Sequence, residues 1–186
     1  MKGLAFIVSL LLGTIAHSAW SQGETSSFLQ QAAEANLAEV DLAEVAQERA
    51  ARPEVKEYAR HLKQAHEQAS EAIKSIAERK NVALPDEPAK MRQQQKEQLS
   101  ALDGKAFDQA YLKTMIREHE KSIRTFEQQA KNAQQDPDVQ QYARQTLPAL
   151  RQQLGQARLL QQQSLATDRP LQEQSPPSSA PSRQRN

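Results

Sequence analysis

Apolar residues recur along most of this chain at spacings of three and four, the period of an α-helix with one buried face. Phe28, Ala32, Ala35, Leu42, Ala46 and Ala50 form the first such stripe. It predicts a helix from Ser27 to Ala51, with Ser26 or Ser27 as N-cap. Arg52-Pro53 stops it, and Pro53 suits the first turn of a second helix. That helix carries Val55, Tyr58, Ala59, Leu62, Ala69, Ile73, Ile76 and Ala77, and fades at Lys80-Asn81. Beyond a linker holding Pro85, a short polar helix is predicted from Pro88 to Leu102, broken by Asp103-Gly104. A third long stripe, Phe107, Tyr111, Met115, Ile123, Phe126 and Ala130, runs out near Gln134 to Asp136. Pro137 opens the last, with Val139, Tyr142, Ala143, Leu150, Leu154 and Ala157. Pro148 falls inside it and predicts a kink.

Two of these junctions are copies of one another. Pro53-Glu54-Val55, followed by Tyr58-Ala59-Arg60, matches Pro137-Asp138-Val139, followed by Tyr142-Ala143-Arg144. The chain is therefore two copies of one helical hairpin. A single hairpin cannot bury its stripe alone, whereas two can as a four-helix bundle. The long connection from Asn81 to Ala106 is the place for a crossover that makes the second and third long helices parallel, as in ferritin-like folds. The predicted fold class is all-α: a ferritin-like four-helix bundle of two repeated hairpins, with a short extra helix.

Polar residues that interrupt the stripes are the candidates for chemistry. Glu39 sits mid-stripe between Ala35 and Leu42, His66 between Leu62 and Ala69, and His119 between Met115 and Ile123. On the last helix Gln153 lies toward one flank, and His61 falls about 100° off its stripe, at an edge. Glu39 and His66 are equally far from the Arg52-Pro53 turn. An antiparallel hairpin sets them side by side, about 20 Å from it at about 1.5 Å per residue. His119 and Gln153 are nearly level with respect to the Asp136-Pro137 turn. Head-to-tail hairpins bring both pairs to mid-bundle, where one carboxylate and two imidazoles suit a divalent transition metal. A satisfied buried Glu–His pair that only fixes register is the alternative. A di-iron centre needs Glu-x-x-His on two helices. Here Lys63 precedes His66 by three and Ile116 precedes His119, so that centre is disfavoured. Glu118 and Glu120 flank His119 and are expected to be solvated. Ser, Asp and His form no triad-like grouping, and no Gly-rich phosphate loop is present.

Composition narrows the function classes. Aromatics make up only 4% of the 186 residues, so the core must be Ala, Leu, Val and Ile. With no Cys, thiol catalysis and zinc–thiolate sites are excluded. A net charge of +1 leaves no footprint for nucleic acid, and no polybasic segment is aimed at anionic lipid. Lys2, the apolar run from Leu4 to Ala16 and the small residues from Ser18 to Ser21 read as a secretory signal, 1–21. The bundle is then expected over 26–162, with no integral membrane span after cleavage. The location is expected to be periplasmic with a peripheral tie to the envelope, and the Gln-, Ser- and Pro-rich tail 163–186 is expected to be disordered.

The ordered pieces resemble a known family. They are Glu39-Val40, Val55 to Ala59, His66, Phe107 to Leu112 with His119, and Thr146-Leu147-Pro148. In this order and spacing they are similar to the bacterial domain of unknown function 4142, often labelled "predicted outer membrane protein". Leu102 to Tyr111 is the most specific stretch. The resemblance covers about Ser27 to Gln162 and implies a ferritin-like helical fold and export, with no established enzyme activity. The family pattern places a His five residues after the Pro, where this chain has Gln153, a weaker metal ligand. Two functional readings stand. One is an exported bundle that holds a divalent metal or small ligand at Glu39, His66 and His119. The other is a non-catalytic structural or interaction protein of the envelope, partner unknown, with the tail as a docking segment.

Overall fold

A computed structural model describes residues 15–167, with side chains from 22 to 166. These fold as α1 (Ile15–Arg49), α2 (Pro53–Lys80), α3 (Lys90–Ser100), α4 (Gly104–Lys131) and α5 (Pro137–Thr167). Both repeat prolines open the second helix of a hairpin, as predicted. Val55 and Val139, like Ala59 and Ala143, are fully buried at equivalent positions.

The outer ends differ from expectation. Ser26 and Ser27 lie inside α1 and cap nothing, because only Gly23 interrupts a run of tolerable helix formers before them. At the other end α5 passes the expected boundary at 162, carried by Gln161 to Gln163 and by a buried Ser164. The predicted signal, apart from the helical backbone of 15–21, lies outside the described residues, as does the tail beyond Thr167. Inner ends follow the sequence closely. Asn81 closes α2 with φ 53°, giving its N–H to the Ala77 and Glu78 carbonyls. Asn accepts this left-handed conformation better than most residues. Gly104 takes φ 60° at the start of α4, where any side chain would be strained.

The two hairpins, α1–α2 and α4–α5, pack with α1 against α4 and α2 against α5. Ala50, at the end of α1, bridges to Gly104, at the start of α4. At the opposite end Phe28 meets Phe126 edge to face, with centroids 5.1 Å apart. The crossover therefore returns the chain along the bundle. It makes α2 and α4 parallel, and α3 lies over the groove between α1 and α4.

The core divides into two apolar halves. One, beside the Asp136-Pro137 turn, contains Leu29, Ile73, Phe126 and Val139. The other, beside Arg52-Pro53, contains Leu42, Leu62, Phe107 and Leu112. Burying one such side chain stabilises the fold by about 1.5–3 kcal/mol. The stripe on α1 is shifted from prediction: Leu29, Ala33 and Ala43 are buried, while Ala35 is only half-buried. Between the two halves lies a polar layer.

Candidate metal centre

That layer holds the three predicted residues, one from each of three helices. Glu39 is 3% exposed, His66 4% and His119 0%. Their ligand atoms all lie within 4.8 Å of one another. His66 Nε2 stands 2.9 Å from Glu39 Oε2, and His119 Nε2 stands 3.7 Å from the same oxygen. The equal spacing from the turns thus translates into contact, as antiparallel helices of equal rise require. Gln153 enters the layer from α5, its Oε1 3.2 Å from His119 Nε2. His61 is outside, on the surface beside Glu57.

Each imidazole is oriented by its other nitrogen. His119 Nδ1 donates to the Met115 carbonyl at 2.9 Å, and His66 Nδ1 donates to Asn36 Oδ1 at 3.0 Å. Neither oxygen can donate, so both Nδ1 atoms carry hydrogen and both Nε2 atoms face inward. This is the arrangement that fixes the tautomer of a metal-binding histidine. In the neutral rings, the His66 Nε2 lone pair then faces a carboxylate, and the His119 Nε2 lone pair faces both that carboxylate and the Gln153 amide oxygen. That assembly is repulsive until a cation, proton or metal, sits among them. Consistently, Glu39 Oε2 and His66 Nε2 are buried and neither is aligned for a hydrogen bond, though only 2.9 Å apart.

The distances suit a small ion. A tetrahedral ion with bonds of about 2.1 Å separates its ligands by about 3.4 Å. The two imidazole-to-carboxylate separations, 2.9 and 3.7 Å, bracket that value. Without metal, burial alone would raise the Glu39 carboxyl. The charges of His66 and His119, with Arg92 further off, outweigh it and hold the group down to about 2. Burial opposes charge on His66 as well, and the Glu39 carboxylate reverses this and raises it. Glu39 is thus an anion in any ordinary buffer, as a ligand must be.

The surroundings include residues that the sequence pattern did not single out. Asn36 lies one turn before Glu39 on the same face, so a search for polar neighbours at three residues would have found it. Tyr58 and Tyr111 each precede a layer histidine by two turns, on the parallel helices α2 and α4. Their rings meet edge to face at 6.4 Å. Burial pushes both hydroxyls up, and Glu39 adds to it. Tyr58 donates to the Gln153 carbonyl at 3.2 Å and so ties α2 to α5 across the hairpins. The expectation that Glu118 is solvated is wrong. It is buried, 2.5 Å from Arg92 of α3, and also accepts from Arg117. A crossover helix laid over α4 covers it, and single-helix periodicity carries no sign of that. Glu120 is partly exposed as expected, paired with Arg158.

Asp108 explains much of the specific stretch before Tyr111. It is buried on α4, and its two oxygens accept the backbone N–H groups of Ala51 and Arg52 at 3.0 and 3.1 Å. It therefore clamps the first hairpin's turn, which sets the height of Glu39 against His66.

Comparison with known proteins agrees with this architecture. No curated protein matches the chain. A solved structure described as a DUF305 fragment from Deinococcus radiodurans superposes with a TM-score of 0.66 at 16% identity. The match covers 75% of this chain and 96% of that one, and shows a shared helical fold. Among the described residues no helix is long and apolar enough to cross a membrane. Residues 13–160 match the family described as "Domain of unknown function (DUF4142)", and the chain belongs to that family.

Proposed function

We propose that this protein is an exported, non-catalytic helical bundle that holds one divalent transition metal between Glu39, His66 and His119. The observation that carries the reading is the pair of inward Nε2 atoms. Both are fixed by Nδ1 donors and both face one buried carboxylate; His66 Nε2 has no aligned partner, and His119 Nε2 has beside it only the neutral Gln153 amide oxygen at 3.2 Å. Nitrogen and oxygen donors of this kind suit zinc and its neighbours in the first transition series, and the lack of thiolates disfavours softer ions. Because all three ligands are buried, the proposed role is retention or structural reinforcement rather than turnover of a substrate. The signal-like N-terminus supports a periplasmic, envelope-associated location.

A second reading keeps the same layer as scaffold only: a buried Glu39–His66 ion pair fixes register in a structural or interaction protein. The depressed Glu39 and raised His66 favour it, since a proton serves there in place of a metal. Adding Zn(II) to chelator-treated protein separates the two. Metal held only by the folded state raises Tm by about 5–10 °C at a hundredfold excess over its dissociation constant. The scaffold reading expects no rise.

A further inference from the structure

The near-zero net charge conceals a local imbalance. Arg49, Lys63, Lys80, Arg151 and Arg158 each have a carboxylate within 3 Å. Three cations on the outer face of α4 do not: Lys113, Lys121 and Arg124 are exposed, with no acidic partner within 4 Å among the described residues. Arg117 lies between them, 62% exposed at its side chain. Four cations at positions 113, 117, 121 and 124 form one helical stripe, about 16 Å long at about 1.5 Å per residue.

This stripe is one wall of a groove, and α3 is the other. The groove measures about 700 Å³, within the range of small-molecule sites. Its one acidic side chain, Glu118, is already engaged by Arg92 and Arg117, so the field in the groove is positive. In the α3 wall, the Gln95 amide nitrogen is buried without an acceptor. Concave walls of one sign concentrate a counter-ion far more than scattered surface charges do. Guanidinium and ammonium groups in a row suit phosphate, which brings three acceptor oxygens and up to two charges per group.

We propose that the α3–α4 groove binds a phosphate-bearing anion with more than one phosphate or a phosphate presented at a surface. Free polyphosphates and the headgroups of anionic lipids share this chemistry. The groove is distinct from the polar layer and does not depend on a metal there.

The test uses metal-free full chain and a Lys113→Ser/Lys121→Ser/Arg124→Ser variant, whose exposed positions leave the core intact, with helicity checked by circular dichroism. Tripolyphosphate is titrated calorimetrically. In parallel, sedimentation is measured with vesicles of phosphatidylglycerol and of phosphatidylcholine. The expected result is saturable binding of tripolyphosphate or of phosphatidylglycerol vesicles, weakened about tenfold or more in the variant and by added salt. The arm that binds identifies the source. Binding of neither probe, or equal binding by the folded variant, overturns the proposal.

Discussion

The His119 imidazole donates its Nδ1 hydrogen to the Met115 carbonyl one turn earlier on α4, at 2.9 Å. A helix carbonyl cannot rotate away, so the ring is held with Nε2 toward Glu39 and Gln153. Gln153 Oε1, 3.2 Å from that nitrogen, stands where a fourth ligand of the proposed metal would sit, but it offers only a neutral amide oxygen.

Replacing that amide with an imidazole completes the donor set. Gln153→His is expected to tighten metal binding about tenfold or more. Competition against a chromophoric chelator reads the change. An unchanged affinity would mean that α5 does not face the ion.

The metal-free layer has its own pH signature. Glu39 titrates below its ordinary 4.5 in the folded chain, so its stabilising effect is present above 4.5 and is lost as pH falls toward 2. His66 titrates above its ordinary 6.5, so its contribution is full below 6.5 and is lost as pH rises through the folded value. The pair therefore stabilises metal-free protein most between about 4.5 and 6.5. Urea denaturation across pH should show that maximum in chelator-treated wild type and a flatter profile in Glu39→Gln. Parallel profiles would contradict the charge assignment.

Asp108→Ala removes the acceptor for two backbone N–H groups at the first hairpin's turn. The expected loss is about 2–3 kcal/mol, since bonds to a charged acceptor are worth about 1.5–3 kcal/mol each and water re-solvates part of the turn. A loss below about 0.5 kcal/mol in urea denaturation, the scale of an ordinary surface change, would show that the clamp is dispensable.

Arg92→Gln breaks the link between the crossover helix and the buried Glu118. The stability cost is expected near 2 kcal/mol, because a carboxylate is left covered and poorly partnered. Hydrogen exchange should quicken first in α3, whose own buried apolar contribution is Leu99. Uniform quickening across all helices would argue against a separately pinned crossover.

The legible parts of this molecule are those set by period and spacing. Tyr58 and Tyr142 mark the repeat, and equal distances from Arg52-Pro53 put Glu39 level with His66 from the sequence alone. Residues placed by tertiary covering were not legible. Glu118 is buried because α3 lies over it, and α3 is too polar to announce where it packs. The outer helices α1 and α5 extend past the expected limits because no strong breaker stands at Ser26 or Gln163. Asn36 was missed because Ala32 and Ala35 suggested an apolar face slightly rotated from the real one.

The polar layer is proposed to hold a metal. Metal content by mass spectrometry, on tag-free protein folded in the periplasm and never exposed to a nickel column, tests it directly. His66→Ala and Glu39→Gln are run alongside, with circular dichroism to confirm that they fold. About one metal per chain is expected in the wild type, lost in both folded variants. No metal in the wild type, or the same metal in a folded variant, would contradict it and leave Glu39, His66 and His119 as scaffold.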